Sequence, residues 1–466
     1  MYRHVLCVSP YGRTDSSKTS FPPLGLEYIA AALRPYAERV ELVNFRHEST
    51  TSLQAFLRPE TDLICYSINW NVGLTWIRDN INALPPQVLT IAGGRKATED
   101  PQYWLQACPN LDAVVCGDGE QAIAEIAAGR PWSEVAGLVY RGDNGQLVYN
   151  PPRANAPLDN DLMPARELRR HPYYLTSKGV STGIKVDLVA GSRGCPFHCK
   201  FCSFSINPWG VKRCWTPRSA ESIVREIAQI DADVILFVDD VFTHQPERVG
   251  EICDLLVARG IRKNYVVNAR SEIADRPDIL RKMERAGFVA LLIGVESTQD
   301  ATLKAMGKGV TIAQIRQRFA VLRKSTMIIN AYFIVGNIGE TEPQMLSIAS
   351  FARSIGVDLI HVSRLRSEPY SGLSELVERT PDCHVDAKGF VYSDSYSSRH
   401  IANLRKRIDR QFYSPLQVAR VVLKLLRVAE RRVMAKAARS IPPFLAILIA
   451  TQVSRKVRKW MDRPVR

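Results

Sequence analysis

The sequence predicts an α/β protein in three parts: an N-terminal doubly wound, Rossmann-like parallel sheet, a partial (β/α)6 barrel and a C-terminal helical region. Two series of short apolar runs alternate with amphipathic helical stretches, as in parallel sheets. A proline-rich stretch without periodicity separates the two series. The predicted boundaries are a sheet domain at 1–150, a linker at 151–181, a barrel at 182–385 and a basic helical region at 386–466.

The first series contains strands at 4–9, 40–45, 62–68, 88–94 and 113–120, with a loop leading into a helix at 21–33 and a helix at 72–84. A hairpin is predicted around Asp143-Asn144-Gly145, because Asn-Gly favours a tight turn between strands. Ligands of doubly wound sheets bind at the carboxyl ends of the strands. The residues at those ends are glycine-rich or polar, as a large flat ligand would require: Pro10, Tyr11, Gly12, Asn69, Trp70, Gly93, Gly94, Gly117, Gly119 and Glu120.

The second series contains six strand–helix units, which is enough for a partial barrel but not for eight units. Its strands are predicted at 186–190, 234–240, 264–270, 289–297, 327–336 and 359–365. Barrel chemistry takes place at the carboxyl ends of the strands, where polar or charged residues recur. These residues are Asp239, Asp240, Asn268, Arg270 and Glu296.

Three cysteines follow the first barrel strand at a C-x3-C-x2-C spacing: Cys195, Cys199 and Cys202. An odd number of thiols cannot all form disulfides, but three thiolates in one loop suit a metal centre. Three ligands are one short of a closed zinc site or a fully ligated [4Fe-4S] cluster, so one metal position stays open. A zinc loop is the alternative interpretation of these residues.

The cysteine loop, with Phe201 before its last cysteine, resembles the radical S-adenosylmethionine (SAM) enzymes. The resemblance implies a [4Fe-4S] cluster whose fourth iron binds SAM and which cleaves it to a 5′-deoxyadenosyl radical. Residues 22–27, 93–98 and 117–120 resemble the cobalamin-binding domain that precedes many such barrels. The chain lacks that domain's Asp-x-His-x-x-Gly motif; His47 is the nearest approach, so cobalamin without a histidine ligand is expected.

The resemblance also implies roles for individual residues. Asp239 and Asp240 lie where the family binds the SAM amino group, Arg270 suits its carboxylate and Glu296 its ribose. The Gly336 to Glu340 segment resembles the one near adenine. The implied SAM-binding set is Phe201, Asp239, Asp240, Asn268, Arg270, Glu296, Gly336 and Glu340, and the ten sheet-end residues above form the implied cobalamin-binding set. No further catalytic residue is assigned.

Composition limits the cellular setting. The 466 residues are 46% hydrophobic and 23% charged, as in a globular protein. There is no 18-residue apolar run and no signal-peptide pattern, so the ten cysteines are expected to be reduced and the protein cytoplasmic. The net charge of +15 is concentrated in residues 397–466, which hold 18 Lys or Arg and three Asp or Glu. The near-neutral body argues against a nucleic-acid partner.

The basic C-terminal helices suit either docking on the barrel or peripheral contact with the inner face of an anionic membrane. The chain resembles the group containing the hopanoid C-3 methylases and the anaerobic Mg-protoporphyrin ester cyclases. That resemblance implies cobalamin-dependent C-methylation of an unactivated carbon in a lipid, an isoprenoid or another secondary metabolite, with a flavodoxin- or ferredoxin-like electron donor of low potential. The alternatives are a non-methylating oxidative cyclase or rearrangement enzyme of tetrapyrrole type, a methylthiotransferase and a zinc-binding structural protein.

Overall fold

The computed structural model describes residues 1–12, 21–155, 157–158, 161–177, 180–203, 206–207, 209, 211–368, 371–428, 433 and 436. The strands are β1 Tyr2–Ser9, β2 Ala37–Asn44, β3 Thr61–Ser67, β4 Leu89–Gly93, β5 Ala113–Val115, β6 Leu138–Arg141, β7 Leu147–Tyr149, β8 Tyr174–Ser177, β9 Val180–Val189, β10 Ser192–Arg193, β11 Thr216–Pro217, β12 Val234–Phe237, β13 Asn264–Ala269, β14 Phe288–Glu296, β15 Ile328–Val335, β16 Leu359–Arg364, β17 Cys383–Val385 and β18 Val391–Ser393. The helices are α1 Leu24–Leu33, α2 Leu74–Asn82, α3 Arg95–Glu99, α4 Pro101–Ala107, α5 Glu120–Ala127, α6 Ala220–Gln229, α7 Pro246–Ala258, α8 Pro277–Ala286, α9 Asp300–Ala305, α10 Ile312–Leu322, α11 Glu342–Ile355, α12 Gly372–Glu378, α13 Ser398–Phe412 and α14 Pro415–Val428.

The N-terminal domain is a seven-stranded sheet in the order β2-β1-β3-β4-β5-β6-β7. The first five strands are parallel and the last two are antiparallel. Alternate residues of β1 are buried on opposite faces: Val5 and Cys7 against α1 and α5, Leu6 and Val8 against α2 and α4. The doubly wound parallel sheet is therefore confirmed. The predicted hairpin is confirmed as well, since β6 and β7 flank Gly145 at φ 76°.

The second domain is a seven-stranded open sheet in the order β16-β15-β14-β13-β12-β9-β8. Its first six strands are parallel, which confirms the six-unit partial barrel. The helices α6, α7, α8, α10 and α11 cover the outer face and bury one large apolar core with it. The seventh strand, β8, is antiparallel to β9 and lies in the range predicted as linker.

The linker range is also more deeply packed than a surface tether. Arg169 pairs with Glu27 of α1 at 2.7 Å and with Asp187 of β9 at 2.7 Å. Arg166 pairs with Asp187 at 3.2 Å and with Glu226 of α6 at 2.5 Å. Arg169 thus connects carboxylates of the two domains, and Arg166 holds the linker on the barrel.

The C-terminal part begins with the β17–β18 hairpin and continues into α13 and α14. Helix α13 buries Ile401, Leu404, Ile408 and Phe412, which lie three or four residues apart on one face. The sequence has an apolar stretch of ten residues at 441–450, which lies outside the described residues. No described helix combines the length and apolar character needed to cross a membrane.

Candidate functional site

The cysteine loop runs from Gly191 to Cys202 directly after β9, and the end of β12 anchors its beginning. Asp239 accepts hydrogen bonds from the backbone N–H of Gly191 at 2.8 Å and from the hydroxyl of Ser192. Strand β10 then pairs with β11. Gly194 has φ 76°, and a Cβ there would lie 2.3 Å from the carbonyl oxygen of Cys214. Only glycine allows the loop to lie this close to the chain that returns beside it.

Hydrogen bonds from other parts of the chain to backbone groups of the loop hold its middle. The ammonium group of Lys212 donates to the carbonyl oxygens of Phe197 at 2.9 Å and of Pro196 at 3.3 Å. The N–H of Lys200 donates to the carbonyl oxygen of Met306 at 3.0 Å. The backbone that carries the cysteines is therefore fixed from two sides by protein contacts.

The three predicted ligands are all free thiols. Cys195 is buried and Cys199 and Cys202 are partly exposed, whereas Cys214 is exposed. Burial raises the pKa of Cys195, and the nearby charges of Asp240, Cys202 and Cys199 raise it further. Across the described part of the chain, no three His, Cys, Asp or Glu side chains surround a single metal-ion position. The donor set suits an iron–sulfur cluster, because three thiolates of one anchored loop leave one iron without a protein ligand.

The two carboxylates after β12 have different surroundings. Asp239 is fully buried, and burial raises its pKa to about 6 against the opposing effects of Ser192 and Arg248. Its oxygens hold the cysteine loop, as described above. Asp240 is half-buried; burial raises its pKa, while the charges of Arg213 and Arg95 lower it. Asp240 lies near Cys195, and it is therefore the carboxylate that could pair with the amino group of SAM.

Asn268 lies near the end of β13 and contacts Asp239, whereas Arg270 follows the strand and contacts the cysteine loop itself. The side-chain amide of Asn268 donates to the carbonyl oxygen of Asp239 at 3.0 Å. The guanidinium of Arg270 donates to the carbonyl oxygen of Lys308 at 2.8 Å and to Glu272 at 3.0 Å. It also lies 3.8 Å from the centre of the Phe197 ring, over the cysteine loop.

Glu296 ends β14 in a strained conformation, with φ 73°. Its buried carboxylate accepts a hydrogen bond from the ammonium of Lys308 at 2.9 Å. A Cβ at Gly294 would lie 2.2 Å from that carboxylate and 2.7 Å from the ammonium. The glycine therefore makes room for a buried ion pair at the strand end.

The Gly336–Glu340 turn follows β15. One carboxylate oxygen of Glu340 accepts the N–H groups of Gly336 and Asn337, each at 3.1 Å. Burial raises the pKa of Glu340 to about 7. The turn lines a cavity of about 600 Å³ with residues of α13 and the β17–β18 hairpin. Phe201, the last of the predicted SAM-binding residues, packs beside Met306 and Ile334 near the same strand end.

A cavity of about 710 Å³ lies at the carboxyl ends of β3, β4 and β5, covered by the start of α1. Six of the ten predicted cobalamin-binding residues line it: Asn69, Gly93, Gly94, Gly117, Gly119 and Glu120. At Gly94, with φ 96°, a Cβ would lie 2.7 Å from the side-chain oxygen of Asn69. At Gly117, with φ 95°, a Cβ would meet no atom within 4 Å. The glycines form an open cradle that fits part of a large ligand.

The other four predicted residues lie beside this cradle. The hydroxyl of the buried Tyr11 accepts the N–H groups of Asn69 and, at 2.7 Å, Trp70, so it shapes the turn after β3. Tyr11 and Trp70 line a neighbouring cavity, described next. Pro10 is buried at the end of β1, and the carbonyl of Gly12 accepts a hydrogen bond from Arg46 at 3.4 Å. Pro10 and Gly12 line neither cavity.

The neighbouring cavity measures about 1560 Å³ and lies between the two sheets. It adjoins the cobalamin cradle, since Gly25, Leu26, Ser67 and Asn69 line both. Among the residues that the structure describes, none that lines it is charged. They are Ser9, Tyr11, Phe21, Pro22, Pro23, Leu24, Gly25, Leu26, Ser67, Asn69 and Trp70 from the first domain, and Leu188, Leu236, Phe237, Val238, Val266, Asn268, Leu292 and Tyr332 from the barrel.

Three arginines connect the cradle to the cysteine loop, and sequence reasoning missed them. Arg193 pairs with Glu120, and Arg213 pairs with Asp118. Arg95, which follows the cradle glycines, donates to the carbonyl oxygen of Ser203 at 2.8 Å. Burial opposes ionisation of Glu120, but the charge and hydrogen bond of Arg193 outweigh it and lower the Glu120 pKa. No local sequence pattern could have indicated these pairs, because their partners are far apart along the chain.

Comparison with known proteins agrees with this geometry. The model of the radical SAM superfamily matches residues 189–352, and that of the B12-binding domain matches residues 12–127. The chain therefore belongs to the cobalamin-dependent radical SAM family and is an enzyme. The two matched domains confirm the predicted cofactors: a [4Fe-4S] cluster, SAM and cobalamin. Cys195, Cys199 and Cys202 would hold the cluster, and the glycine cradle would hold part of the cobalamin.

Its curated relatives are distant. An uncharacterized methyltransferase from Pyrococcus horikoshii is 26% identical over 76% of this chain and 77% of its own length. The hopanoid C-3 methylase of Methylococcus capsulatus is 28% identical over 63% of this chain. The anaerobic magnesium-protoporphyrin IX monomethyl ester cyclase of Rubrivivax gelatinosus is 26% identical over 66% of this chain. The matches span 56% of the length of each of these last two proteins.

Solved structures share the fold at low identity. The radical SAM methyltransferase TsrM from Kitasatospora setae superposes with a TM-score of 0.64 at 17% identity, over 89% of this chain and 82% of that one. The cobalamin-dependent radical enzyme OxsB superposes with a TM-score of 0.64 at 18% identity, over 95% and 71% of the two chains. These likenesses show the fold alone.

Proposed function

We propose that the enzyme methylates an unactivated carbon of a largely apolar, uncharged substrate, such as a lipid, an isoprenoid or another secondary metabolite of that character. The observation that carries the proposal is the cavity of about 1560 Å³ between the two sheets. It adjoins the cobalamin cradle on one side and reaches β9, β12, β13 and β14 of the barrel on the other. A substrate in this cavity would lie between the two cofactor sites.

The chemistry of the cavity wall favours an apolar substrate. Leucine, valine, phenylalanine and proline side chains dominate the lining, and none of the described residues that contribute to it is charged. A charged group placed there would lose hydration without gaining a partner. Asn268 and Tyr332 are polar lining residues that can orient a hydroxyl or carbonyl of the substrate.

When bound, the cluster and SAM supply hydrogen abstraction from carbon, and cobalamin supplies a methyl group. The residues of this chain position the reacting groups. Asp239 and Lys212 fix the cysteine loop, while the Glu296–Lys308 pair stands at the end of β14. Arg193 and Arg213 set the distance from the loop to the cobalamin cradle through Glu120 and Asp118.

A second candidate is a non-methylating oxidative cyclase or rearrangement enzyme acting on a tetrapyrrole-type substrate. It is favoured by relatives named magnesium-protoporphyrin cyclases, which are as similar as the methylases. The same cavity would accept a large, mainly apolar ring system. The two candidates differ in whether SAM is also converted to S-adenosylhomocysteine.

The deciding experiment is anaerobic turnover of reconstituted enzyme with SAM labelled with deuterium in its methyl group, a chemical reductant and an extract of neutral lipids. Methylation predicts 5′-deoxyadenosine, S-adenosylhomocysteine and a lipid carrying the labelled methyl group, and a Cys202→Ala variant should lose the deoxyadenosine and the labelled lipid. Deoxyadenosine without S-adenosylhomocysteine, alongside an altered but unlabelled product, would favour the cyclase. A reconstituted protein that binds no cobalamin would refute methylation.

We also infer that the enzyme works in the cytoplasm with a flavodoxin- or ferredoxin-like donor of low potential. This inference is supported by the family's need for one electron per SAM cleavage. Turnover supported by reduced flavodoxin in place of the chemical reductant would test it.

A further inference from the structure

Helix α14 docks on the barrel through one face. The side-chain amide of Gln417 donates to the carbonyl oxygens of Val357 at 3.1 Å and Asp358 at 2.8 Å. The ammonium of Lys424 contacts the buried Asp358 carboxylate at 2.6 Å. Val421 is buried between them. Because these residues are three or four positions apart, they share one side of the helix and fix which side faces outward.

The outward side of α14 is apolar. Its large hydrophobic side chains are between 38% and 82% exposed: Leu416, Val418, Val422, Leu423, Leu425 and Leu426. Leu416, Val422, Leu423 and Leu426 lie on the half of the helix opposite to Gln417 and Val421, and Val418 and Leu425 lie on its flank. A contiguous face of this kind is unusual on a protein surface that meets only water, and it marks a site of association.

Positive charge borders this face. Arg420 and Arg427 lie on α14 itself and are exposed. Beyond the end of α14, at the amino-terminal end of the barrel strands, a groove of about 990 Å³ is lined by Arg262, Lys263, Arg285 and Arg427. Its carboxylate, Glu284, is already engaged by the hydroxyl of Ser325 at 2.6 Å and by the N–H of Thr326 at 2.7 Å.

The arginines of this surface have no acidic partner in the described part of the chain, where Arg262, Arg285, Arg420 and Arg427 form no ion pair. Residues 429–466 contain ten Lys or Arg and two Asp or Glu, together with the apolar stretch 441–450. The surface is therefore apolar at its centre and cationic at its rim.

We propose that the outward face of α14 and the adjoining arginine groove form a docking surface for an anionic lipid bilayer. The leucines and valines enter the boundary between headgroups and acyl chains, and the arginines contact lipid phosphates. Charge complementarity selects this occupant. A second copy of the chain would bring two cationic rims together, which repel each other. The proposal does not depend on the reaction, so its test needs no turnover.

The test is co-sedimentation of the full-length, anaerobically purified protein with phosphatidylcholine vesicles, with and without phosphatidylglycerol. We expect binding to the anionic vesicles alone, weakened by salt. Arg262→Gln combined with Arg285→Gln should reduce binding about thirtyfold, because each cation near an anionic membrane surface contributes about 1 kcal/mol to binding. Leu423→Glu combined with Leu426→Glu should abolish it without changing the thermal midpoint, while Val385→Glu, on the β17–β18 hairpin, should bind as the wild type does.

Each other outcome overturns the proposal. Absence of binding to anionic vesicles, or unchanged binding by the double leucine variant, excludes the face as a lipid site. A large fall in the thermal midpoint of that variant would show that residues 429–466 cover the face. A concentration-dependent dimer that the same variant dissociates would identify a second copy as the occupant.

Discussion

Replacement of Gly194 by alanine should loosen the cysteine loop through a collision with the neighbouring backbone whose size can be calculated. The new Cβ would lie 2.3 Å from the carbonyl oxygen of Cys214 and 2.7 Å from that of Arg213, both backbone atoms that cannot rotate away. Ordinary contact would require a displacement of about 1 Å. In addition, an alanine at φ 76° costs about 1–2 kcal/mol relative to glycine. Cys195 is the next residue, so the displacement falls directly on a cluster ligand.

The measurement is iron and sulfide per chain after anaerobic reconstitution, followed by removal of the iron with a chelator. Loss of support around metal ligands typically weakens metal binding about tenfold to a hundredfold. We therefore expect Gly194→Ala to fold but to lose its iron at chelator concentrations at least about tenfold lower than the wild type. Cobalamin binding should change less, because the cradle lies in the other domain.

Gly260→Ala is the matched control. Gly260 has a similar φ of 64°, and a Cβ there would meet no atom within 4 Å. It therefore carries the conformational cost without the collision. If the two variants release iron equally, the close approach of Gly194 to Cys214 does not support the cluster and the reasoning fails.

Three further changes test other parts of the site. Gly93→Leu, at an ordinary φ, projects a side chain into the cradle and should weaken cobalamin binding about tenfold or more by absorbance titration. Glu120→Gln leaves the Arg193 guanidinium half-paired between the domains and should lower the free energy of unfolding by up to about 3 kcal/mol, measured by chemical denaturation. Glu340→Gln should remove a pH dependence of stability. The folded pKa of about 7 exceeds the ordinary 4.5, so ionisation opposes folding and costs about 3 kcal/mol as pH rises from about 4.5 to about 7.

Controls separate these effects from general damage. Gly93→Leu should keep its iron content; a loss of iron would mean that the domain misfolds. Glu134→Gln removes an exposed pair with Arg130 and should lower the free energy of unfolding by less than about 1 kcal/mol. If the Glu120 and Glu134 variants lose equal free energies of unfolding, the lower exposure of the Glu120 pair does not strengthen it. For Glu340, the difference in unfolding midpoint between wild type and variant should change from pH 5 to pH 8. The same difference at both pH values would refute the raised pKa.

The strands could be predicted because apolar periodicity is a local property. Each parallel strand of both sheets was predicted, although β9 begins six residues before the predicted start and β5 ends five residues before the predicted end. Asn144-Gly145 was sufficient for the hairpin. Strand β8 was missed because Tyr174–Ser177 has no apolar pattern of its own and is fixed by pairing with β9. The shared loop of the three cysteines and the strand-end location of the glycines were also predictable, because both follow from spacing along the sequence.

The different structural roles of neighbouring polar residues could not be predicted. Asp239 and Asp240 are equivalent in sequence, yet one is fully buried under the cysteine loop and the other is half-buried near Cys195. Which of the two is inward depends on where β12 ends relative to β9. The same is true of Arg270, whose contact with Phe197 depends on how the loop folds over β13.

The ionic contacts between the domains explain how two cofactor sites can serve one substrate. Methyl transfer requires the methyl donor and the site of hydrogen abstraction to face the same carbon, and errors of about 1 Å are costly in such reactions. Each domain has its own apolar core, so their separation must be set by contacts at the boundary. Arg193 and Arg213 provide these contacts at the cysteine loop, and Arg169 provides them behind it, between Glu27 and Asp187. Partly buried charge pairs suit this purpose better than apolar contacts, because a sliding interface would leave each arginine unpaired.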